Sequence, residues 1–106
     1  MNTVCISGDE RKMDDPDEQW IAQEISSRRR AGQLVWVLVR VETPWGGVLL
    51  RSSQCPPERG RAGYRPPMPL ERDILELWDK LGLCNGDLSP GNLIAFLKQA
   101  RRLVER

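Results

Sequence analysis

Histidine is absent from all 106 residues. That removes imidazole metal ligands, every histidine-based catalytic triad and the usual general base at neutral pH. No apolar run approaches the roughly 18 residues that a membrane-spanning helix needs, so no membrane partner is expected. The chain begins Met1-Asn2-Thr3-Val4-Cys5, neither basic nor followed by a long apolar stretch, so no secretory signal is expected. The three cysteines, Cys5, Cys55 and Cys84, are odd in number and no two form a CxxC. Such spacing argues against a disulfide framework and against a zinc site. A reducing cytoplasm is the expected compartment, and neither a metal nor a cofactor is expected.

Phosphate-cradling motifs are missing as well. Gly46-Gly47 reads as a turn. Gly60 and Gly63 lie in a proline-rich stretch with no Lys-Ser/Thr behind them. Asp14, Asp15, Asp17 and Glu18 cluster, but a helix start attracts acids to those positions. A two-carboxylate hydrolase needs its acids on separate rigid elements, and the strand candidates carry only Glu42. The chain is therefore expected to work without catalysis.

Charge is unevenly distributed although the net is only +1. Residues 1–24 hold seven acids and two bases. Residues 25–65 hold eight bases and two acids, and residues 66–106 hold six of each. Arginine outnumbers lysine 13 to 3, and its planar fork suits carboxylate, phosphate and interface contacts better than lysine does.

Hydrophobic periodicity supplies the elements. Residues 1–12 read as a flexible tail or a short edge strand around Thr3-Val4-Cys5-Ile6. Asp14-Asp15-Pro16-Asp17-Glu18 reads as a helix start, with an Asp cap and Pro at the first helical position. Trp20, Ile21, Glu24 and Ile25 form its inner stripe. Arg28-Arg29-Arg30 sit in its last turn, where cations suit the dipole. Gln33 to Glu42 is the strongest strand signal. Val35, Val37, Val39 and Val41 share one face; Leu34, Trp36, Leu38 and Arg40 share the other. Both faces look largely apolar, so this strand is expected to be central or covered on both sides. Thr43 to Gly47 is a turn, and Val48 to Ser53 is the partner strand.

Residues 54–69 contain five prolines and two glycines and are expected to form a long Pro/Arg-rich loop. A helix follows over Pro69 to Leu81, with Leu70, Ile74, Leu77, Trp78 and Leu81 in register. Ser89-Pro90 caps a last helix carrying Leu93, Ile94, Phe96, Leu97, Ala100, Leu103 and Val104. The expected fold is one α+β domain over residues 1–106, ordered (β)αββαα. In it a β-hairpin or small antiparallel sheet packs on three helices, the last two forming a helical hairpin.

Small size, segregated charge and absent catalytic groups suggest a stoichiometric protein inhibitor or adaptor, of the bacterial or phage and mobile-element kind. Its partner-binding candidates are Trp45 at the turn and Arg59, Arg61, Tyr64 and Arg65 in the loop, because exposed Trp and Arg anchor interfaces. Arg28, Arg29, Arg30, Arg40 and Arg51 are candidate contacts to phosphate or to an acidic partner. The alternative reading is an arginine-mediated nucleic-acid-binding regulator. A lone two-stranded hairpin is marginal in water, so either the N-terminal residues add a third strand or two chains pair their sheets, as a homodimer through strand 34–41.

Overall fold

A computed structural model describes residues 2–55, 68–85 and 88–105. The elements run β1 (Asn2–Ile6), β2 (Asp9–Met13), α1 (Glu18–Arg30), β3 (Val37–Thr43), β4 (Gly46–Arg51), α2 (Pro69–Lys80) and α3 (Pro90–Glu105), with a 3-10 turn over Leu83–Asn85. The fold is α+β: a four-stranded antiparallel sheet in the order β2-β1-β3-β4, three helices, and a helical hairpin at the C-terminal end.

The N-terminal residues form two strands rather than a tail or one edge strand. Ile6 and Asp9 are register partners, leaving Ser7-Gly8 as a two-residue turn. Both turn residues have positive φ, 49° and 100°. That is the conformation whose twist matches antiparallel strands, and glycine adopts it without a Cβ penalty. β1 enters the sheet interior, pairing Val4 with Val39 and Ile6 with Val37. β2 becomes the edge. Its sequence Asp-Glu-Arg-Lys-Met is charged along the rim, which discourages edge-to-edge pairing.

The helices pack on the valine face of the sheet. Val4, Ile6, Val37, Val39, Val41, Val48 and Leu50 join Ile21, Ile25, Ile74, Trp78, Leu93, Phe96, Leu97 and Ala100 in one core cluster. Trp78 and Phe96 meet edge to face at 5.0 Å, a geometry that favours the quadrupoles of both rings. Where β4 ends, Ser52 is buried, and its hydroxyl accepts from the Val37 N–H at 3.0 Å. Its own N–H donates to the Val37 carbonyl at 2.9 Å. The indole Nε1 of Trp78 donates to the Arg51 carbonyl at 3.2 Å. These bonds satisfy backbone groups that the end of the ladder would otherwise strand.

The cap of α1 differs from the sequence expectation. It is Asp17, whose Oδ1 accepts from the Trp20 N–H at 3.1 Å, and Pro16 precedes the helix rather than opening it. The other oxygen of Asp17 takes the Arg11 guanidinium at 2.7 Å, and that guanidinium stacks 4.9 Å from the centre of the Trp20 ring. One carboxylate therefore caps the helix and ties β2 to it. Asp17→Ala is expected to lower stability by about 1–2 kcal/mol, mostly from the lost cap. Asp17→Asn, still a good cap, should retain most of that in a thermal melt. Equal losses for the two variants would refute the capping role. Ser89 caps α3 as the sequence suggests, accepting from the Asn92 N–H at 3.1 Å.

Candidate functional site

Alternation along β3 sends Val37, Val39 and Val41 to the core and Leu38, Arg40 and Glu42 to the opposite side. Register extends that outer face across all four strands. Glu10, Cys5, Leu38 and Arg51 form one row, and Lys12, Thr3, Arg40 and Leu49 form the next. Trp36 continues the face beyond Leu38; its N–H and carbonyl both bond Ser7. Trp36, Leu38, Leu49 and Cys5 are half-buried, yet none belongs to the core cluster or packs against it. The sequence suggested a strand that is central or covered on both sides, and β3 is central, lying between β1 and β4. Among the described residues only its valine side is covered by the core, and the outer face is a mixed apolar and charged surface.

The sheet also corrects how strand 34–41 can serve a second copy. β3 pairs with β4 over residues 38–43 and with β1 over residues 37–40, so most of its edge groups are taken and its outer side chains are what remains for contact. Residues 34–36 lie before the strand proper, with Leu34 66% exposed.

Trp45 stands at the tip of the β3–β4 hairpin, 63% exposed. Thr43 and Gly46 are register partners, so the turn is Pro44-Trp45, shorter than the five residues read from the sequence. The Thr43 hydroxyl donates to the Gly46 carbonyl at 2.6 Å and accepts from the Trp45 N–H at 3.2 Å. Gly46 has φ 122°, a conformation that a side chain would strain. The indole is thus presented on a backbone held from both sides.

The arginines separate into engaged and available groups. Arg28 binds Asp9 of the N-terminal hairpin and Glu24 of its own helix. Arg29 donates to the Leu88 carbonyl. The Arg40 Nε donates to Glu42 at 2.7 Å, and its guanidinium lies over Gly47, where an added Cβ would come within 2.5 Å of that nitrogen. Gly47 therefore makes room for a flattened Arg40. Arg30 and Arg51 are exposed, with no ion-pair partner among the described residues. Arg59, Arg61, Tyr64 and Arg65 lie outside the described residues.

The sequence did not single out Cys5, Glu10, Lys12, Leu38 or Leu49 as surface candidates. Leu38 was legible, because it alternates against the valines; Glu10 and Lys12 were not, because their strand has no hydrophobic alternation.

Burial raises the thiol of Cys5 above its ordinary value, with Glu10 and Asp9 adding to the effect. Cys84 donates its S–H to Asp79 at 2.9 Å, and that bond, chiefly, raises its thiol as well. Both shifts favour the protonated form in the folded state. The associated stability is present below the unfolded thiol value, near 9.0, and is lost as pH rises through the folded values. Stability should therefore fall on the alkaline side of pH 9, and both thiols should react slowly with iodoacetamide at neutral pH. Alkylation of Cys5 at the rate of an unfolded control peptide would contradict this.

Among the described residues no three Cys, Asp or Glu side chains converge to hold a metal, and no helix is long and apolar enough to cross a membrane. A cleft of about 370 Å³ between α2 and α3 is lined by Asp73, Glu76, Leu77, Lys80, Gln99 and Arg102, two acids and two bases among them. Chemically, the arrangement offers contact surfaces: an anchored indole at the tip, and an apolar strip bounded by charge on the sheet. No family model, no curated protein and no solved structure matches this chain.

Proposed function

We propose that the protein acts without catalysis, as a stoichiometric inhibitor or adaptor that binds a partner protein through the β3–β4 hairpin tip. The observation that carries this reading is Trp45. Burying a large apolar ring in the core is the ordinary use of tryptophan, yet here the ring projects from a turn braced by Thr43 and Gly46. A rigid, exposed indole loses little entropy on binding and fills a partner's pocket well. The setting is the reducing cytoplasm, in keeping with Cys5, Cys55 and Cys84 remaining thiols. The kind of protein fits one encoded by a bacterium, phage or mobile element.

Arginine-mediated nucleic-acid binding is the competing reading, and Arg30 and Arg51 support it by lacking acidic partners among the described residues. Arg28, Arg29 and Arg40 favour it less, since each already engages an internal acceptor. The deciding experiment is capture of partners from the source cell by tagged protein, with and without nuclease, beside a Trp45→Ala control. A partner kept after nuclease and lost with Trp45→Ala supports the protein reading. Loss of all partners on nuclease treatment overturns it.

A further inference from the structure

We propose that the outer face of the sheet joins a second copy of this chain, related by a two-fold axis lying between the two sheets and parallel to their strands. This does not rest on how Trp45 is used.

The argument begins with the order of residues in each row. One row runs Glu10, Cys5, Leu38, Arg51, so it is acidic at the β2 edge, apolar in the middle and basic at the β4 edge. Neither Glu10 nor Arg51 has an ion-pair partner among the described residues. A two-fold axis along the strands lays β2 of one copy over β4 of the other, and β1 over β3. Glu10 then meets Arg51 of the second copy, twice over, and Cys5 meets Leu38. In the next row Lys12 meets Leu49, whose apolar surface suits the lysine stem, and Thr3 meets Arg40, already neutralised by Glu42. No like charges oppose each other in these two rows. A surface that complements itself under one rotation is what an isologous interface requires.

Edge pairing is the other way two sheets associate. β3 lies inside the sheet and the β2 rim is charged, which leaves the β4 edge for it. Face packing also covers Trp36, Leu38 and Leu49, the half-buried apolar side chains outside the core.

Size sets the expected strength. Four strands about 4.8 Å apart and roughly six residues long present on the order of 400 Å² of flat area per copy. That is below the ~800 Å² per partner of a standard interface, so the dimer should be reversible, with dissociation in the micromolar range or weaker.

The test is light scattering or sedimentation over a concentration series. The wild-type protein should rise from one chain toward two as concentration increases. Glu10→Arg alone and Arg51→Glu alone should each remain monomeric, with circular dichroism melts like the wild type because both side chains are exposed. The double variant Glu10→Arg/Arg51→Glu should dimerise again. Should a charge reversal fail to fold, Glu10→Gln and Arg51→Gln give the same comparison, each weakening association several-fold. The proposal is overturned by a wild type that stays monomeric throughout, by single variants that associate like the wild type, or by a folded double variant that stays monomeric. Trp45→Ala should leave the association unchanged, so failure here and failure of the partner-binding reading are separately visible.

Discussion

Trp78→Ala is expected to lower the stability of this protein by about 3–5 kcal/mol, the cost of truncating a large core aromatic. For a chain of this length, total stability is on the order of 5–15 kcal/mol, so the variant should be close to unfolding at physiological temperature. Three losses combine. The indole is only 3% exposed, so most of its area returns to water or becomes a cavity. Its edge-to-face contact with Phe96 disappears. The Arg51 carbonyl loses the Nε1–H donor that holds the exit of β4 against α2. Trp78→Phe isolates the last of these, because it restores an aromatic ring but no donor. It should cost less than the alanine variant and more than a conservative core exchange. Urea denaturation gives both midpoints, and unchanged slopes would show that the unfolded state is not the cause. A Trp78→Ala midpoint within error of the wild type would mean that the α2–α3 hairpin is not part of the cooperative unit.

Much of this fold is legible in the sequence where local pattern and burial agree. Trp78 and Leu93 lie on helical stripes, and both are buried in the core. The β3–β4 hairpin follows from valines alternating against Leu38 and Arg40, and the alternation correctly assigns the two faces. What escapes is structure that depends on distant pairing. β2 has four charged residues in a row and no apolar alternation, so it holds its place through backbone bonds to β1 rather than through its side chains. Ser7-Gly8 was its one local signal, a dipeptide suited to positive φ on both residues. The insertion of β1 beside β3 joins segments more than thirty residues apart, and no local propensity encodes that.

The arginines illustrate the same limit for the site. Arg28 and Arg29 read as charges available to a partner, because sequence neighbours offer them only Glu24. The fold brings Asp9 and the Leu88 carbonyl to them and uses both residues as fasteners. Trp45 was legible for the opposite reason. A tryptophan between Pro44 and Gly46 in a tight turn has no helix or strand face to bury it, whatever the tertiary arrangement.

Trp45→Ala should reduce partner binding by about 30-fold or more, the equivalent of roughly 2 kcal/mol for an interface anchor, while leaving the melting temperature almost unchanged. The second half follows from exposure: a side chain in solvent contributes within about 0.5 kcal/mol to folding, and the bonds that hold the turn come from Thr43, Gly46 and the backbone of residue 45. Those bonds survive truncation to alanine, so the hairpin keeps its shape and only the ring is lost. Trp45→Phe should bind with intermediate affinity if a pocket receives the ring's apolar body. Ionic strength then identifies the partner's class. A protein holding the indole in a pocket predicts affinity that changes little with salt. A nucleic acid held by arginines predicts a steep linear fall of log affinity with log salt, the slope set by the number of phosphates neutralised. In that case Arg30→Ala or Arg51→Ala should flatten the slope, while Trp45→Ala should lower affinity without altering it. Full partner binding by a folded Trp45→Ala protein would remove the hairpin tip from the interface.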